Sequence, residues 1–243
     1  MTRVSANAAP PSWPDSKPKH QTTDRRTPRK ERACRIPHRN TMPRRISIWL
    51  IVLIIVLYAL DQGTKWAVVL NFPYHWEYSF SSKIIPIIKG SEFMNFCLVR
   101  VHNTGVAFGT GHGTVWAPFV FLCVQVVALV WFYRLFRSGF FSTRALRVAW
   151  ALITTGIIGN MTDRLLQGFF IPGAEDRSFF SNLMSGYVVD FLDFSFPWIK
   201  TAMFPNGYHW PSFNVADSCV CCAAALFIIS SLFMKEKEEG KKA

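Results

Sequence analysis

The sequence predicts an all-α membrane protein, a four-transmembrane-helix bundle with a small extracytoplasmic β-sheet between spans 1 and 2. Three observations predict it. Half of the 243 residues are hydrophobic, 22 of them Phe. Four long apolar runs punctuate the chain. Clusters of Lys and Arg flank one end of these runs, while Asp, Asn and paired charges gather at the other.

The net charge of +12 does not belong to a folded basic domain, because residues 1–45 hold twelve Lys/Arg against three Asp/Glu. This stretch is rich in Pro, Arg, Lys, Ser and Thr and poor in core-forming side chains, so residues 1–41 are expected to form a disordered basic extension. Met42 is followed by Arg44, Arg45 and an apolar run, as a membrane protein could begin, and the extension is therefore expected to be dispensable. A four-span domain is assigned to residues 42–234, and a charged cytoplasmic tail to residues 235–243. Six cysteines lack framework spacing, four of them within apolar runs, and no structural disulfide is expected.

Spans are placed at about 46–66, 115–133, 144–164 and 213–234. Ile46 to Leu60 is uncharged but too short to cross about 30 Å of hydrocarbon, which takes roughly 20 residues, so the helix must continue past Asp61. That continuation puts Asp61 and Lys65 one turn apart on one face. Val115 to Tyr133 is uncharged and long enough alone. Val148 to Gly159 spans only if its helix takes in Arg144 and Arg147 at one end and Asn160 to Arg164 at the other. The last run, Phe213 to Met234, carries Asp217 in its first turns and is followed by lysines. Positive clusters before Ile46, between Arg134 and Arg147, and after Met234 put both termini in the cytoplasm. Asp61/Lys65, Asn160/Asp163/Arg164 and Asn214/Asp217 then share the extracytoplasmic interface. Phe93 to Val101 reads as strand, and the Phe- and Trp-rich stretch from Gln167 to Pro211 as a headgroup-region loop.

Ionisable groups at membrane depth cost about 2.5–3.5 kcal/mol each to insert, so their presence asks for a reason. Here they are Asp61, Lys65, Asp163, Arg164, Asp190, Asp193 and Asp217, with the amides Asn103, Asn160 and Asn214. One reading is a polar network that locks helix ends. The other is catalysis: two carboxylates at a partly dehydrated site cannot both ionise easily, so one holds a proton while the other accepts one from water. A transporter would need polar residues along the span centres, which are instead mostly aliphatic, Cys and Phe. A Ser/Lys hydrolase would use Lys65 with Ser212 or Ser218. A metal enzyme is disfavoured because His102, His112 and His209 lack H-E-x-x-H spacing and Cys219, Cys221 and Cys222 point to different helix faces. No metal or cofactor is called for.

Four ordered segments resemble the signature blocks of the lipoprotein signal peptidases (signal peptidase II). They are Asp61-Gln62-Gly63-Thr64-Lys65, then Asn103-Thr104-Gly105-Val106-Ala107-Phe108-Gly109, then Gly159-Asn160-Met161-Thr162-Asp163-Arg164 with Val189-Asp190-Phe191-Leu192-Asp193-Phe194, and Phe213-Asn214-Val215-Ala216-Asp217. The match covers roughly Pro43 to Met234. It implies an aspartic endopeptidase of the bacterial inner membrane, with Asp190 and Asp217 catalytic. The resemblance further implies that Asn160, Arg164 and Asn214 hold substrate, with Asn103 bordering the site. Asp61, Lys65 and Asp163 are expected to be structural, Asp163 pairing with Arg164; Asp163 and Asp193 are the rival dyad members. The implied substrate is a prolipoprotein whose cysteine carries diacylglycerol, cut just before that cysteine, with membrane lipid as the other partner, no nucleic acid, and a monomeric enzyme. The chain departs from the pattern in its N-terminal extension, in Val106 where Ala is usual, and in some seventeen extra residues, Phe169 to Ser185, expected to be a surface elaboration.

Overall fold

The computed structural model describes residues 45–73, 83–105 and 117–239, with side chains through Phe233. The extension 1–41, the motif residues Val106 to Gly109, the expected start of the second span at Val115 and the last tail residues, 240–243, lie outside the described residues. In chain order the elements are α1 (Ile48–Asn71), β1 (Ile85–Ile88), β2 (Asn95–Asn103), α2 (Ala117–Ser138), α3 (Arg144–Leu166), α4 (Phe179–Met184), β3 (Val188–Phe196), β4 (Tyr208–His209) and α5 (Val215–Glu239). Two 3-10 turns, Gln167–Phe170 and Ala174–Asp176, lie between α3 and α4.

Among the described residues, three helices are long and apolar enough to cross a membrane: Ile48–Asn71, Pro118–Ser138 and Val215–Phe233. The segment expected as a further span is the 23-residue α3, which differs in kind. Arg147, Thr154, Thr155, Asp163 and Arg164 are all buried in it, because α3 is packed by α1, α2 and α5 and its polar groups are met by protein. Close packing needs small residues. A methyl group on Gly156 would stand 2.6 Å from the Ala216 carbonyl oxygen, and one on Gly159 would stand 2.6 Å from Asp61 Oδ2. These two glycines let α5 and the Asp61 side chain lie directly against the α3 backbone.

The turn between α2 and α3 is made by local chemistry. Gly139 takes φ 90°, its N–H reaches Phe136 O, and the Phe140 N–H reaches Leu135 O, the two bonds of a Schellman motif. Thr143 then caps α3, its hydroxyl accepting from the Leu146 N–H at 3.2 Å. An apolar cluster of Leu50, Phe136, Phe141, Leu146, Trp150 and Ala151 closes this end of the bundle.

At the other end lies a four-stranded antiparallel sheet in the order β1-β2-β3-β4. The sheet corrects the sequence expectation in one respect: it is shared by two loops, since β3 and β4 come from the stretch before α5, not from between the first two spans. Val101 pairs with Asp190 and Asn103 with Val188, so Asn103 and Asp190 are diagonal neighbours on one sheet face. Val68 of α1 and Phe72, its C-cap, pack beneath the sheet with Tyr187, Val189 and Phe191. The Arg100 guanidinium crosses from β2 to the carbonyls of Val69 and Phe72, at 3.0 and 2.9 Å, satisfying the C-terminal end of α1. The extra segment is not confined to the surface, because Ile171 and Ala174 are buried in this same cluster.

Candidate active site

Four segments distant in sequence meet where the sheet rests on the helix ends. Asn214 stands immediately before α5. Its side-chain oxygen accepts from the Asp217 N–H at 2.9 Å, while Asp217 Oδ2 accepts from the Asn214 N–H at 3.2 Å. This reciprocal capping box fixes Asp217 in the first turn of α5, where the helix dipole favours an anion. The Asn214 amide nitrogen also donates to Asp190 Oδ1 at 2.7 Å. A single asparagine thus touches both Asp190 and Asp217.

Asp190 sits mid-strand in β3, 1 % exposed, with its second oxygen taking a 2.9 Å bond from Asn103 Nδ2. Burial, and after it the neighbouring Asp217 carboxylate, push the Asp190 carboxyl up to about 8. Asp217 Oδ1 accepts from Asn160 Nδ2 at 2.8 Å. The orientation of that amide is forced: Asn160 Oδ1 receives Lys65 Nζ at 2.9 Å, and an ammonium can only donate, so the amide nitrogen must face Asp217.

Behind Asn160 lies a second buried cluster. Lys65 Nζ reaches Asp61 Oδ2 at 2.9 Å and Asp163 Oδ2 at 3.0 Å, all three side chains being fully buried. Gln62 spans the two acids at 3.1 Å each and donates to the Gly159 carbonyl. Asp61 also takes the Ala216 N–H at 2.8 Å, and Asp163 takes the Val189 N–H at 3.1 Å. These bonds tie α1, α3, α5 and β3 together on either side of the Asp190/Asp217 pair.

Among the expected residues, Asp163 is paired with Lys65, not with Arg164. Arg164 instead donates to the Gly105 carbonyl at 2.9 Å and lies over the Phe121 ring at 5.1 Å, with Nε and Nη1 buried and unpartnered among the described residues. Asn103 and Asn214 each give a side-chain amide proton to Asp190, and Asn160 gives one to Asp217; the Asn214 amide also donates to Asn160 Oδ1 at 3.1 Å. Asp193 lies apart, accepting from Ser212 at 2.9 Å and from His209 at 3.2 Å. The Ser/Lys alternative finds no geometry here, since Ser212 bonds Asp193 and Ser218 bonds the Asn214 carbonyl. Sequence reasoning gave no role to Gln62, although it stands between Asp61 and Lys65. It also missed Arg100, whose use is visible only once β2 is laid across α1.

Comparisons with known proteins agree with this architecture. The family model described as Signal peptidase (SPase) II matches residues 53–233. A lipoprotein signal peptidase of Nitratidesulfovibrio vulgaris is 31 % identical over 189 residues, covering 77 % of this chain and 91 % of the relative. One of Psychromonas ingrahamii is 29 % identical over 195 residues, covering 80 % and 90 %. Among solved structures, a bacterial membrane enzyme determined at 2.3 Å superposes with a TM-score of 0.55 at 23 % identity, over 78 % of this chain and 90 % of that one, a likeness of fold. With the family model running from within α1 to within α5 and taking in every strand between them, the chain belongs to the signal peptidase II family.

Proposed function

We propose that this protein is an aspartic endopeptidase that removes the signal peptide from diacylglyceryl-modified prolipoproteins by cutting before the lipidated cysteine. The observation that carries the reading is the Asp190/Asp217 arrangement: two carboxyl groups bonded to one asparagine at 2.7 and 3.2 Å, each further supported by amides and neither ion-paired with a cation among the described residues. In this proposal α3 is a fourth span, its polar residues sheltered by the other helices. Both termini are cytoplasmic, because Arg45, Arg134, Arg137 and Arg144 flank the end opposite the sheet. The site then faces the outer surface of the inner membrane, and a monomer suffices for it.

The two carboxyl groups have different work. Asp217, in the first turn of α5 where the helix dipole favours an anion, is the ionised partner. Asp190, held up to about 8, carries the proton at neutral pH. Asp217 takes a proton from water as its oxygen attacks the scissile carbonyl, and Asp190 donates to the developing oxyanion. Collapse of the tetrahedral gem-diol breaks the C–N bond as the proton on Asp217 passes to the leaving amine, and one hydroxyl of the gem-diol returns its proton to Asp190 as the carbonyl re-forms. Arg164 offers Nε and Nη1, which have no partner among the described residues, to carbonyl oxygens of the bound peptide.

The test is a prolipoprotein peptide presented in detergent with and without diacylglycerol on its cysteine. Cleavage just before the modified cysteine, with the thiol form resistant, is expected. Cleavage elsewhere, or equal cleavage of both forms, contradicts the reading.

A further inference from the structure

The segment from Phe169 to Ser185 leaves the bundle at the end of α3 and returns just before β3. Its two ends are pinned together: a methyl group on Gly168 would collide with the Asn182 carbonyl oxygen, and one on Gly186 with the Arg164 carbonyl oxygen. Inside the segment, Ser178 caps α4, Asn182 Nδ2 donates to Ala174 O at 2.8 Å, and Arg177 donates to Ser181 and Ser185 at 3.0 and 2.7 Å. With Ile171 and Ala174 sunk into the core, this is a built element and its surface is fixed.

That surface is apolar where a soluble loop would be polar. Phe170, Phe179 and Phe180 are 55, 72 and 66 % exposed. They are continuous with the bundle's membrane-facing surface: Phe170 packs edge-on against Trp66 of α1 at 4.8 Å, and Leu70 of α1 and Leu166 of α3 are exposed near the same helix ends. Phe169 backs Phe179 at 5.3 Å and holds α4 in place. The exposed acids Glu175 and Asp176 sit on the other short turn of the segment, so the element presents two kinds of surface.

We infer that Phe170, Phe179 and Phe180 form an interfacial anchor that inserts into the lipid bilayer beside α1 and α3. The occupant is lipid, because the patch continues the apolar face of a helix long and apolar enough to span, and aromatic side chains partition to that depth. The anchor has a functional position: only Tyr187 to Val189 separate Gly186 from Asp190, so the depth of the anchor sets the height of β3 over the membrane. This consequence rests on the peptidase reading above, whereas insertion itself does not.

The experiment places p-benzoylphenylalanine singly at positions 179, 180, 175, 176 and, on the exposed face of α2, 127. The full chain is reconstituted in phosphatidylethanolamine/phosphatidylglycerol vesicles, irradiated, and lipid adducts are read by mass. Positions 179 and 180 are expected to give adduct yields like that of 127 and about tenfold above 175 and 176. If 127 labels while 179 and 180 fall to the level of 175 and 176, the anchor is overturned and the membrane reading stands. Equal labelling at all five positions also overturns it, as does a protein adduct in place of lipid at 179 and 180. Absence of adduct at 127 as well as at 179 and 180 would overturn both. No outcome depends on peptidase activity.

Discussion

Two carboxylate pairs lie side by side at the polar end of the bundle, separated by the amide of Asn160, and they are built from opposite materials. Asp61 and Asp163 share a lysine: their charges are neutralised at 2.9 and 3.0 Å, and Gln62 bridges what remains. Asp190 and Asp217 share an asparagine, and their hydrogen-bond donors are amides. A buried carboxylate bonded to an ammonium has its charge matched by a partner and holds structure. A carboxyl pair facing amides, one member buried and the other partly so, can trade a proton between its members, because amides orient the oxygens without settling the charge. Burial alone does not separate these roles, since Asp61, Asp163 and Asp190 are all 1 % exposed or less.

The comparison breaks most sharply at the amide-held pair. Asp190→Asn or Asp217→Asn preserves shape and removes the proton exchange, so single-turnover cleavage is expected to fall by about 10²–10⁴-fold or more while the thermal unfolding midpoint in detergent barely moves. In the lysine-held cluster the effects invert. Lys65→Met leaves two buried acids without their cation and is expected to cost about 3–5 kcal/mol of stability, read from unfolding. Gly159→Ala comes next: its methyl group meets Asp61 Oδ2 at 2.6 Å, and an overpacking loss of about 1–3 kcal/mol is expected.

The smallest effect sharpens the proton assignment. Because Asp190 must be protonated to donate, cleavage should decline as pH rises through about 8. The folded chain holds that proton more tightly than the unfolded chain, where the carboxyl returns to its ordinary value of 3.8. The Asp190 contribution to stability therefore falls as pH rises from about 4 to about 8. Asn103 stabilises the ionised form, so Asn103→Ala should move the alkaline limb of the rate profile upward by up to about one pH unit.

Much of this arrangement is legible in the sequence, though unevenly. Apolar runs announce α1, α2 and α5, because a helix facing lipid must be apolar along its length. Hydropathy reads α3 poorly, since a helix surrounded by protein is free to carry Thr154, Thr155, Asn160 and Asp163. The sheet was half visible: Phe93 to Val101 alternates like a strand, but its partner β3 lies almost ninety residues away, and register with Asp190 follows from tertiary pairing alone. Motif resemblance gathered Asn103, Asn160, Asp190, Asn214 and Asp217 as a set. It could not say that Lys65 would claim Asp163 from Arg164, a choice made by how α1 packs on α3. The burial of Ile171 and Ala174 was equally hidden, since nothing local distinguishes a core-docked insertion from a surface loop.

The most direct test of the division between the two clusters measures cleavage and thermal unfolding together for Asp190→Asn, Asp217→Asn and Asp163→Asn. The first two should be inert with unfolding midpoints near wild type, and the third destabilised while its folded fraction still cuts before the lipidated cysteine. Near-wild-type cleavage by Asp190→Asn or Asp217→Asn, or an inert Asp163→Asn of unchanged stability, would contradict the assignment of the amide-held pair as the catalytic one.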